Sequence, residues 1–386
     1  MSTAESVILF LIAVAAFLSP FISKKLFIAS PVTEIFLGIL IGALFKVEGH
    51  TLTIVKFMSE FGFLILMYMA GMEIDMEDIK KISKKDLLIY TTYFALILGM
   101  VLGIAIFFKL HVAVSLLTTM TAIGLLFPIL SEFDLLDKSI GKNLLIIGGI
   151  GEIISLLVIT VVTVYYQYGL KLESLYHVLQ IAFFCLFAFF ALKLFKVLSW
   201  WYPSTVVKVM ASNNSSETGM RSNFLIMLTF AAIASVLCIE IIIGAFIGGI
   251  LYSSVLKEKD NILEGFEMLG NGFMIPVFFI FVGLSFDIST ITEKNVIILA
   301  LSMTFGILLL RVLASVVFIF SNIGIKEIFL IPVGTSFPLT LLVAFAEVGK
   351  TAGIFSTEVV SGAILTSIIS ALIYPQIFKI LLKFTR

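Results

Sequence analysis

The feature that most constrains this chain is a succession of apolar runs, each about as long as a helix that crosses a bilayer. Such a helix needs about 20 apolar residues, whereas the strands of a membrane barrel alternate in polarity over about ten. The runs here are continuous, which predicts an all-α polytopic membrane protein. Thirteen transmembrane helices are predicted, at residues 5–22, 30–46, 54–72, 86–108, 112–130, 142–167, 175–198, 221–239, 240–256, 263–285, 295–320, 326–347 and 352–382.

The composition excludes several other classes of protein. The 386 residues are 60% hydrophobic and 13% charged, about half the charged share of a soluble domain. The 25 basic and 25 acidic residues cancel, so no basic face for nucleic acid is expected, and the partner is membrane lipid. The sequence contains no nucleotide-binding loop, nucleophile motif or metal-ligand spacing. We therefore expect no enzyme activity, no cofactor, and no metal beyond a transported cation.

Orientation follows from the basic residues, which concentrate in cytoplasmic loops. The loops after odd-numbered spans, with the C-terminus, hold 18 of the 25 Lys and Arg residues, whereas those after even-numbered spans hold five. This bias predicts an external N-terminus and a cytoplasmic C-terminus in the cell (inner) membrane. Because the last apolar run reaches almost to Arg386, no soluble regulatory domain is expected.

The two halves of the chain contain similar segments in the same order. Matching segments begin at Gly38 and Gly244, Ala70 and Val282, and Phe127 and Phe337, at offsets of 206, 212 and 210. The matched spans are seven apart, so the halves have opposite orientations. This predicts two inverted repeats of six helices, at 1–174 and 221–386, joined by a linker helix and cytoplasmic loop at 175–220. Inverted repeats are typical of secondary transporters; the alternative is chance similarity among glycine-rich helices.

Two charged residues are predicted at the membrane midplane. Glu152 follows Lys142 by ten residues, about 15 Å of helix, which is half of a core about 30 Å thick. Arg311 lies between Lys294 and Lys326 at a similar depth. A charge at this depth is costly, by about 2.5–3.5 kcal/mol on insertion scales. These residues are therefore candidates for an ion-binding site, the alternative being a static structural pair.

Two spans carry matched signals for a helix interruption near this depth. Proline removes a backbone donor and glycine loosens the preceding turn, so the pattern predicts two unwound, crossed helices. The alternative is a pair of ordinary proline kinks. The residues that mark the two interruptions are Thr118, Gly124 and Pro128 in one span, and Gly334, Ser336 and Pro338 in the other. Hydroxyls that can bind the freed backbone groups belong to Thr118, Thr121, Thr335, Ser336 and Thr340.

These residues carry a family resemblance. Gly71-Met-Glu-Ile-Asp75, Phe278-Phe-Ile-Phe-Val-Gly-Leu284, Thr119-Met-Thr-Ala122 and the glycine-rich run that ends at Glu152 resemble the monovalent cation:proton antiporter-2 family, the Kef-type membrane domain with the NapA/NhaA-like fold. The resemblance covers residues 5 to about 382. It implies a homodimer in which spans 4–6 and 11–13 form a moving core and the other spans form a dimerisation domain.

The resemblance also implies residue roles. Glu152 would bind either H⁺ or a monovalent cation, Na⁺ or K⁺; Thr121 and nearby carbonyls would supply oxygens to the cation. Arg311 would face Glu152 and hold its ionised form during part of the cycle. The family places an amide or carboxyl residue before the conserved acid, where this chain has Gly151. Because one carboxylate is predicted at the midplane, exchange by alternating access is expected to be electroneutral. Glu347 is the secondary candidate for a residue that carries an ion or a proton.

Two other functions are compatible with this fold. A sodium-coupled symporter of an organic anion would need a more polar anion site than Arg311 alone provides. A channel or sensor that lost exchange is favoured only by Gly151 in the paired position.

Overall fold

A computed structural model gives the structure of this chain. It describes residues 3–385 except 27, 46–48, 75–81, 127–128, 131–132, 134, 137, 170–171, 202–215, 238, 256–265, 267, 287–288, 291–292 and 322. Within these residues the secondary structure is helical, with no strand, as the apolar runs predict. Part of the predicted cytoplasmic linker, at 202–215, lies outside the described residues.

The described helices follow the predicted spans closely. They are α1 Thr3–Leu26, α2 Ser30–Leu44, α3 Gly49–Glu73, α4 Lys84–Phe107, α5 Val112–Leu116, α6 Ser139–Tyr168, α7 Leu172–Trp201, α8 Ser216–Val236, α9 Ile241–Val255, α10 Ile275–Leu284, α11 Lys294–Ala314, α12 Ile325–Gly334, α13 Leu339–Thr351 and α14 Thr357–Thr385. Short 3₁₀ segments follow α5, at Leu117–Thr119, and α11, at Ser315–Phe320. A π-helical segment, Gly270–Met274, precedes α10.

Local sequence explains where several of these helices begin and end. The Ser83 hydroxyl caps α4 by accepting a hydrogen bond from the Asp86 backbone N–H at 3.0 Å. Pro31 stands in the first turn of α2, where its missing N–H is not needed. The chain leaves α13 through Gly353, whose φ of 69° is the left-handed conformation that glycine adopts without strain.

In the described part of the chain, eight helical segments are long and apolar enough to cross a membrane. They begin with Glu5–Leu26 and end with Thr357–Lys383, and one of them is the pair α12 and α13 taken together as Ile325–Thr351. Shorter apolar helices include α2, α9 and α10, of 15, 15 and 10 residues. The chain is therefore a multi-pass membrane protein, while the predicted total of thirteen spans stays a prediction.

The chain divides into two compact units. Unit 1 comprises Met1–Glu77 and Tyr168–Ser285, and unit 2 comprises Asp78–Gln167 and Phe286–Arg386. Unit 2 contains the six spans, 4–6 and 11–13, that the resemblance assigns to a core domain. Both units draw on both halves of the sequence, because each is assembled from two separate stretches of chain.

Unit 1 is held together by two close helix crossings. In the first, α2 packs on α10 at Gly38 and Gly283; in the second, α3 packs on α9 at Gly71 and Gly249. A Cβ added at Gly38 would meet the Ile280 carbonyl group, and one at Gly249 would meet the Tyr68 carbonyl oxygen. Small residues allow membrane helices to approach this closely.

The two crossings have the same internal geometry. Gly38 lies against Gly283 and the carbonyl three residues before it, and Gly249 lies against Gly71 and the carbonyl three residues before that. Gly71 therefore corresponds to Gly283, at the offset of 212 found in the sequence. Gly38 corresponds by its contacts to Gly249, an offset of 211, and not to Gly244, because only a glycine at the crossing point permits the contact.

Unit 2 is organised around α11 and α14. Helix α11 packs against α4, α12, α14 and the 3₁₀ segment that follows α5, and α14 also packs against α12 and α13. The Tyr374 hydroxyl on α14 donates a hydrogen bond of 2.6 Å to the Thr304 carbonyl on α11. Phe318 contacts the rings of Tyr90 and Tyr93 on α4. This packing places one face of α11 on the backbone at residues 117–120.

Candidate functional site

The first interruption lies between α5 and residue 126. The chain is 3₁₀-helical at Leu117–Thr119, non-helical at Thr121 and Ala122, and turns through Gly124 before Leu126. The hydroxyls of Thr118 and Thr119 each donate a 2.7 Å hydrogen bond to a carbonyl of the preceding turn. Hydroxyl groups that bind backbone carbonyls in this way are one means by which membrane proteins tolerate an interrupted helix. Pro128 lies outside the described residues, so its part in the interruption stays a prediction.

The second interruption separates α12 from α13. Helix α12 ends at Gly334, and α13 begins at Leu339, directly after Pro338. The Thr335 hydroxyl donates to the Ile331 carbonyl at 2.9 Å, and the Ser336 hydroxyl donates to the Pro332 carbonyl. The hydroxyl groups of Tyr93 and Thr335 are 3.3 Å apart and hydrogen bonded, which fixes this interruption to α4.

Glu152 lies at the first interruption. It is in α6, and its side chain is fully buried. Oxygen Oε2 accepts a hydrogen bond of 3.2 Å from the backbone N–H of Ile123. Oxygen Oε1 is buried and has no hydrogen-bond partner among the described residues. One oxygen therefore holds the carboxyl group in place, and the other can accept a proton or a cation.

Arg311, in α11, contacts the same segment. Its guanidinium lies against the carbonyls at the end of the first half of the interrupted helix. Its Nη1 donates to the carbonyls of Thr118, at 3.1 Å, and Ile307, at 3.0 Å. Its Nη2 donates to the Met120 carbonyl and, at 3.1 Å, to the Thr121 hydroxyl oxygen. The C-terminal end of a helix carries partial negative charge, so the guanidinium stabilises this end.

Glu152 and Arg311 therefore bind neighbouring parts of one unwound segment, but they do not form an ion pair with each other. Side-chain ion pairs among the described residues join His50 to Glu5 and Lys56 to Glu60, and none joins Glu152 to Arg311 within 4.0 Å. Arg311 directs four hydrogen bonds to the backbone and to Thr121 instead. The direct pairing that the sequence suggested is absent from this conformation, in which both terminal nitrogens of the guanidinium are hydrogen bonded and the buried Nε has no partner among the described residues.

Ser155 is part of this arrangement and was missed by the sequence analysis. Its hydroxyl donates to the Gly151 carbonyl at 2.7 Å and accepts from the Thr121 backbone N–H at 2.9 Å. Ser155 thus fixes the non-helical backbone at Thr121 to α6. The available signal was its position three residues after Glu152, which puts both side chains on one helix face.

The glycine-rich run before Glu152 allows α6 to approach the first interruption. A Cβ added at Gly151 would meet the ring of Phe94, at 2.6 Å from Cε1, and would lie 2.9 Å from Cγ2 of Thr121. A Cβ at Gly148 would lie 2.5 Å from Cγ2 of Ile123. The space that a side chain at position 151 would need is therefore filled by Phe94 and Thr121.

The remaining candidate residues are Glu347, in α13, and Gly124, in the first interruption. Glu347 is partly exposed near the C-terminal end of α13, about 12 Å along the axis from Leu339. Gly124 adjoins α13 at Thr340, whose Cγ2 would lie 3.5 Å from a Cβ at Gly124. Among the described residues there is no group of three or more His, Cys, Asp or Glu side chains that could hold a metal ion.

Known proteins share this architecture. Residues 12–384 match the family described as sodium/hydrogen exchanger, transmembrane. YjbQ of Bacillus subtilis is 25% identical over 397 residues, which cover 97% of this chain and 63% of YjbQ. The Na(+)/H(+) antiporter of Enterococcus hirae is 24% identical over 389 residues, and the alignment covers 97% of each chain. The chain thus spans less than two thirds of one relative and nearly all of the other.

A solved structure shows the same fold. The sodium proton antiporter MjNhaP1 from Methanocaldococcus jannaschii superposes with a TM-score of 0.63 at 15% identity, over 97% of this chain and 95% of that one. The family match confirms the resemblance found in the sequence motifs. The chain belongs to the sodium/hydrogen exchanger family of transmembrane proteins.

Proposed function

We propose that this protein is a secondary antiporter that exchanges a monovalent cation, Na⁺ or K⁺, for H⁺ by alternating access. The observation that carries the proposal is the state of Glu152. Its carboxyl group is fully buried, one oxygen is held by the Ile123 N–H, and the other has no hydrogen-bond partner among the described residues. A buried ionised carboxylate with one hydrogen bond and no ion-pair partner is strongly unfavourable, so the group binds a proton or a cation.

Competition at one carboxyl group produces exchange. Protonated Glu152 is neutral and cannot bind the cation, whereas ionised Glu152 binds the cation and excludes the proton. The two substrates therefore occupy the site in turn. Thr121 lies two residues before Ile123 on the same segment, and its hydroxyl supplies oxygen, which hard cations prefer as ligand.

Arg311 supports this role by fixing the unwound segment. Its hydrogen bonds to Thr118, Met120 and Thr121 hold the unwound segment in one conformation, so the backbone that carries the Ile123 N–H is fixed. These bonds occupy both terminal nitrogens of the guanidinium, so Arg311 has at most its Nε–H left to bind an organic anion. This favours antiport over the symport alternative.

One ionisable side chain at the site implies electroneutral exchange of one proton for one cation. Gly151 has no group that can carry a proton, and an arginine keeps its charge throughout. The core then carries the same net charge in both directions.

The proposed architecture is thirteen spans in two inverted repeats of six, with a linker helix between them and the two interrupted helices crossed. Supporting observations are the equivalent glycine crossings of unit 1 and the two interruptions of unit 2. The proposed repeats are 1–174 and 221–386. Unit 2 is the moving core, since it contains Glu152, Thr121 and Arg311, and unit 1 is the scaffold of a homodimer in the cell (inner) membrane, with the N-terminus outside.

The test is cation-driven proton movement in proteoliposomes. Wild-type protein is expected to release lumenal acid when Na⁺ or K⁺ is added outside, and Glu152→Gln is expected to lose this exchange while keeping its thermal stability. The matched control is Glu358→Gln, an exposed glutamate in the first turn of α14, which should exchange like wild type. Normal exchange by Glu152→Gln would refute the assignment of the site.

A further inference from the structure

Thr340 is a buried polar residue that has no role in the exchange mechanism proposed above. It lies in the first turn of α13 and is 4% exposed. Three other hydroxyl groups at the two interruptions, those of Thr118, Thr335 and Ser336, donate hydrogen bonds to carbonyls of the preceding turn. The Thr340 hydroxyl does not: Oγ1 is buried and has no hydrogen-bond partner among the described residues. Leaving a buried hydroxyl unpaired is unfavourable, so a bound species at this atom would be stabilising.

The position of Thr340 is fixed by its contact with the first interruption. Its Cγ2 and Oγ1 lie 3.5 and 3.9 Å from the position of a Cβ at Gly124. Gly124 directly follows Ile123, whose N–H holds the Glu152 carboxyl group. A side chain at position 124 would therefore meet the Thr340 side chain, and glycine leaves that space open.

Three side chains therefore follow one another along this segment. Arg311 binds residues 118–121, Glu152 binds residue 123, and Thr340 lies where a Cβ at residue 124 would contact it. In this order along the segment, Glu152 comes between the positively charged Arg311 and the neutral Thr340 hydroxyl. Glu152 and Thr340 each retain one buried oxygen that has no hydrogen-bond partner in the part of the chain that the structure describes.

We propose that the Thr340 hydroxyl is a ligand of the monovalent cation that Glu152 binds, so that the second interrupted helix contributes an oxygen to the site. This inference rests on the proposed exchange function. A cation that leaves water must replace its hydration oxygens, and a neutral hydroxyl supplies one without adding charge. A hydroxyl donated by α13 also makes the cation affinity depend on the position of α13 relative to α6.

Valine replaces threonine with the same shape and without the oxygen. We expect Thr340→Val to raise the half-saturating Na⁺ or K⁺ concentration about tenfold, the effect of one lost polar partner, with little change in the maximal rate. Thr340→Ser, which keeps the oxygen, should remain close to wild type. The matched control is Thr160→Val, which removes a buried hydroxyl bonded only to its own helix, at the Leu156 carbonyl, and should leave cation affinity unchanged.

A second measurement separates ligand binding from folding. Added Na⁺ or K⁺ is expected to raise the unfolding temperature of wild-type protein and of Thr160→Val in detergent, and to raise that of Thr340→Val and Thr340→Ala much less. Wild-type cation affinity in Thr340→Val, or the same cation-dependent stabilisation in both Thr340 variants as in wild type, would overturn the ligand assignment. Absence of exchange by wild-type protein would instead overturn the proposed function.

Discussion

A methyl group added at Gly151 tests the packing that brings α6 to the interrupted helix. The Cβ of Gly151→Ala would meet the Phe94 ring, at 2.6 Å from Cε1, and would lie 2.9 Å from Cγ2 of Thr121. Both separations are well inside van der Waals contact, and Phe94 is only 3% exposed, so its ring has little room to move. Overpacking of a tight core costs about 1–3 kcal/mol. We therefore expect Gly151→Ala to lower the unfolding temperature by several degrees.

The same geometry predicts which second substitution compensates. Phe94→Leu removes the ring atoms nearest to the added methyl group, although alone it is expected to destabilise by about 1 kcal/mol because it leaves a cavity. In the double variant the methyl group fills part of that cavity. The two changes should therefore cost less together than the sum of their separate costs, with a coupling of about 1 kcal/mol or more.

The assay is thermal unfolding in detergent, followed by the fraction of protein that stays monodisperse after heating. The matched control is Gly103→Ala on α4, because a Cβ there has nothing within 4 Å and should leave the unfolding temperature unchanged. If Gly151→Ala behaves like this control, or if Phe94→Leu gives no compensation, the packing explanation for glycine beside Glu152 is wrong.

Three further predictions concern the site, the transport stoichiometry and the scaffold. Arg311→Lys should lower the unfolding temperature and slow exchange, because an ammonium cannot reproduce the four hydrogen bonds of the guanidinium; unchanged melting and rates would contradict this. A membrane potential should leave the wild-type exchange rate unchanged, whereas charge-moving exchange would couple to voltage at about 2.3 kcal/mol per 100 mV; a transport current on a supported membrane would exclude electroneutral exchange. Gly71→Ala should greatly reduce the yield of folded protein, since its methyl group would meet the Phe246 carbonyl, whereas Gly99→Ala, in open space, should express normally.

Much of the fold could be predicted from the sequence because the bilayer imposes strong local rules. A continuous apolar run must satisfy its own backbone hydrogen bonds, so it becomes a helix whatever its neighbours are. The same rule made Glu152 and Arg311 conspicuous, since a charge inside such a run is costly. The threonine, glycine and proline residues at 118–128 and 334–340 marked the interruptions for a similar reason: proline removes a backbone donor, and nearby hydroxyls can bind the carbonyls that are freed.

The partners of these residues could not be predicted, because they depend on which helix faces meet. Arg311 binds the carbonyls of Thr118 and Met120 and not the Glu152 carboxylate, since the packing of α11 places the guanidinium against the end of the interrupted helix. Likewise, the repeat match at Gly38 gave an offset of 206, whereas the contacts of Gly38 and Gly249 require 211. Apolar helices are too similar in composition to fix the register, and the crossing point fixes it by sterics.

What the sequence determined by itself was therefore the type of each element, and it also predicts the depth of the charged residues. Both are local properties, set by helix rise and by the solvent that each stretch of chain must tolerate. What only the tertiary structure decided was the site: the Ser155 bond to Thr121, the Phe94 ring beside Gly151, and Thr340 against Gly124. These contacts join residues far apart in sequence, so they depend on how the helices pack, which no local pattern encodes.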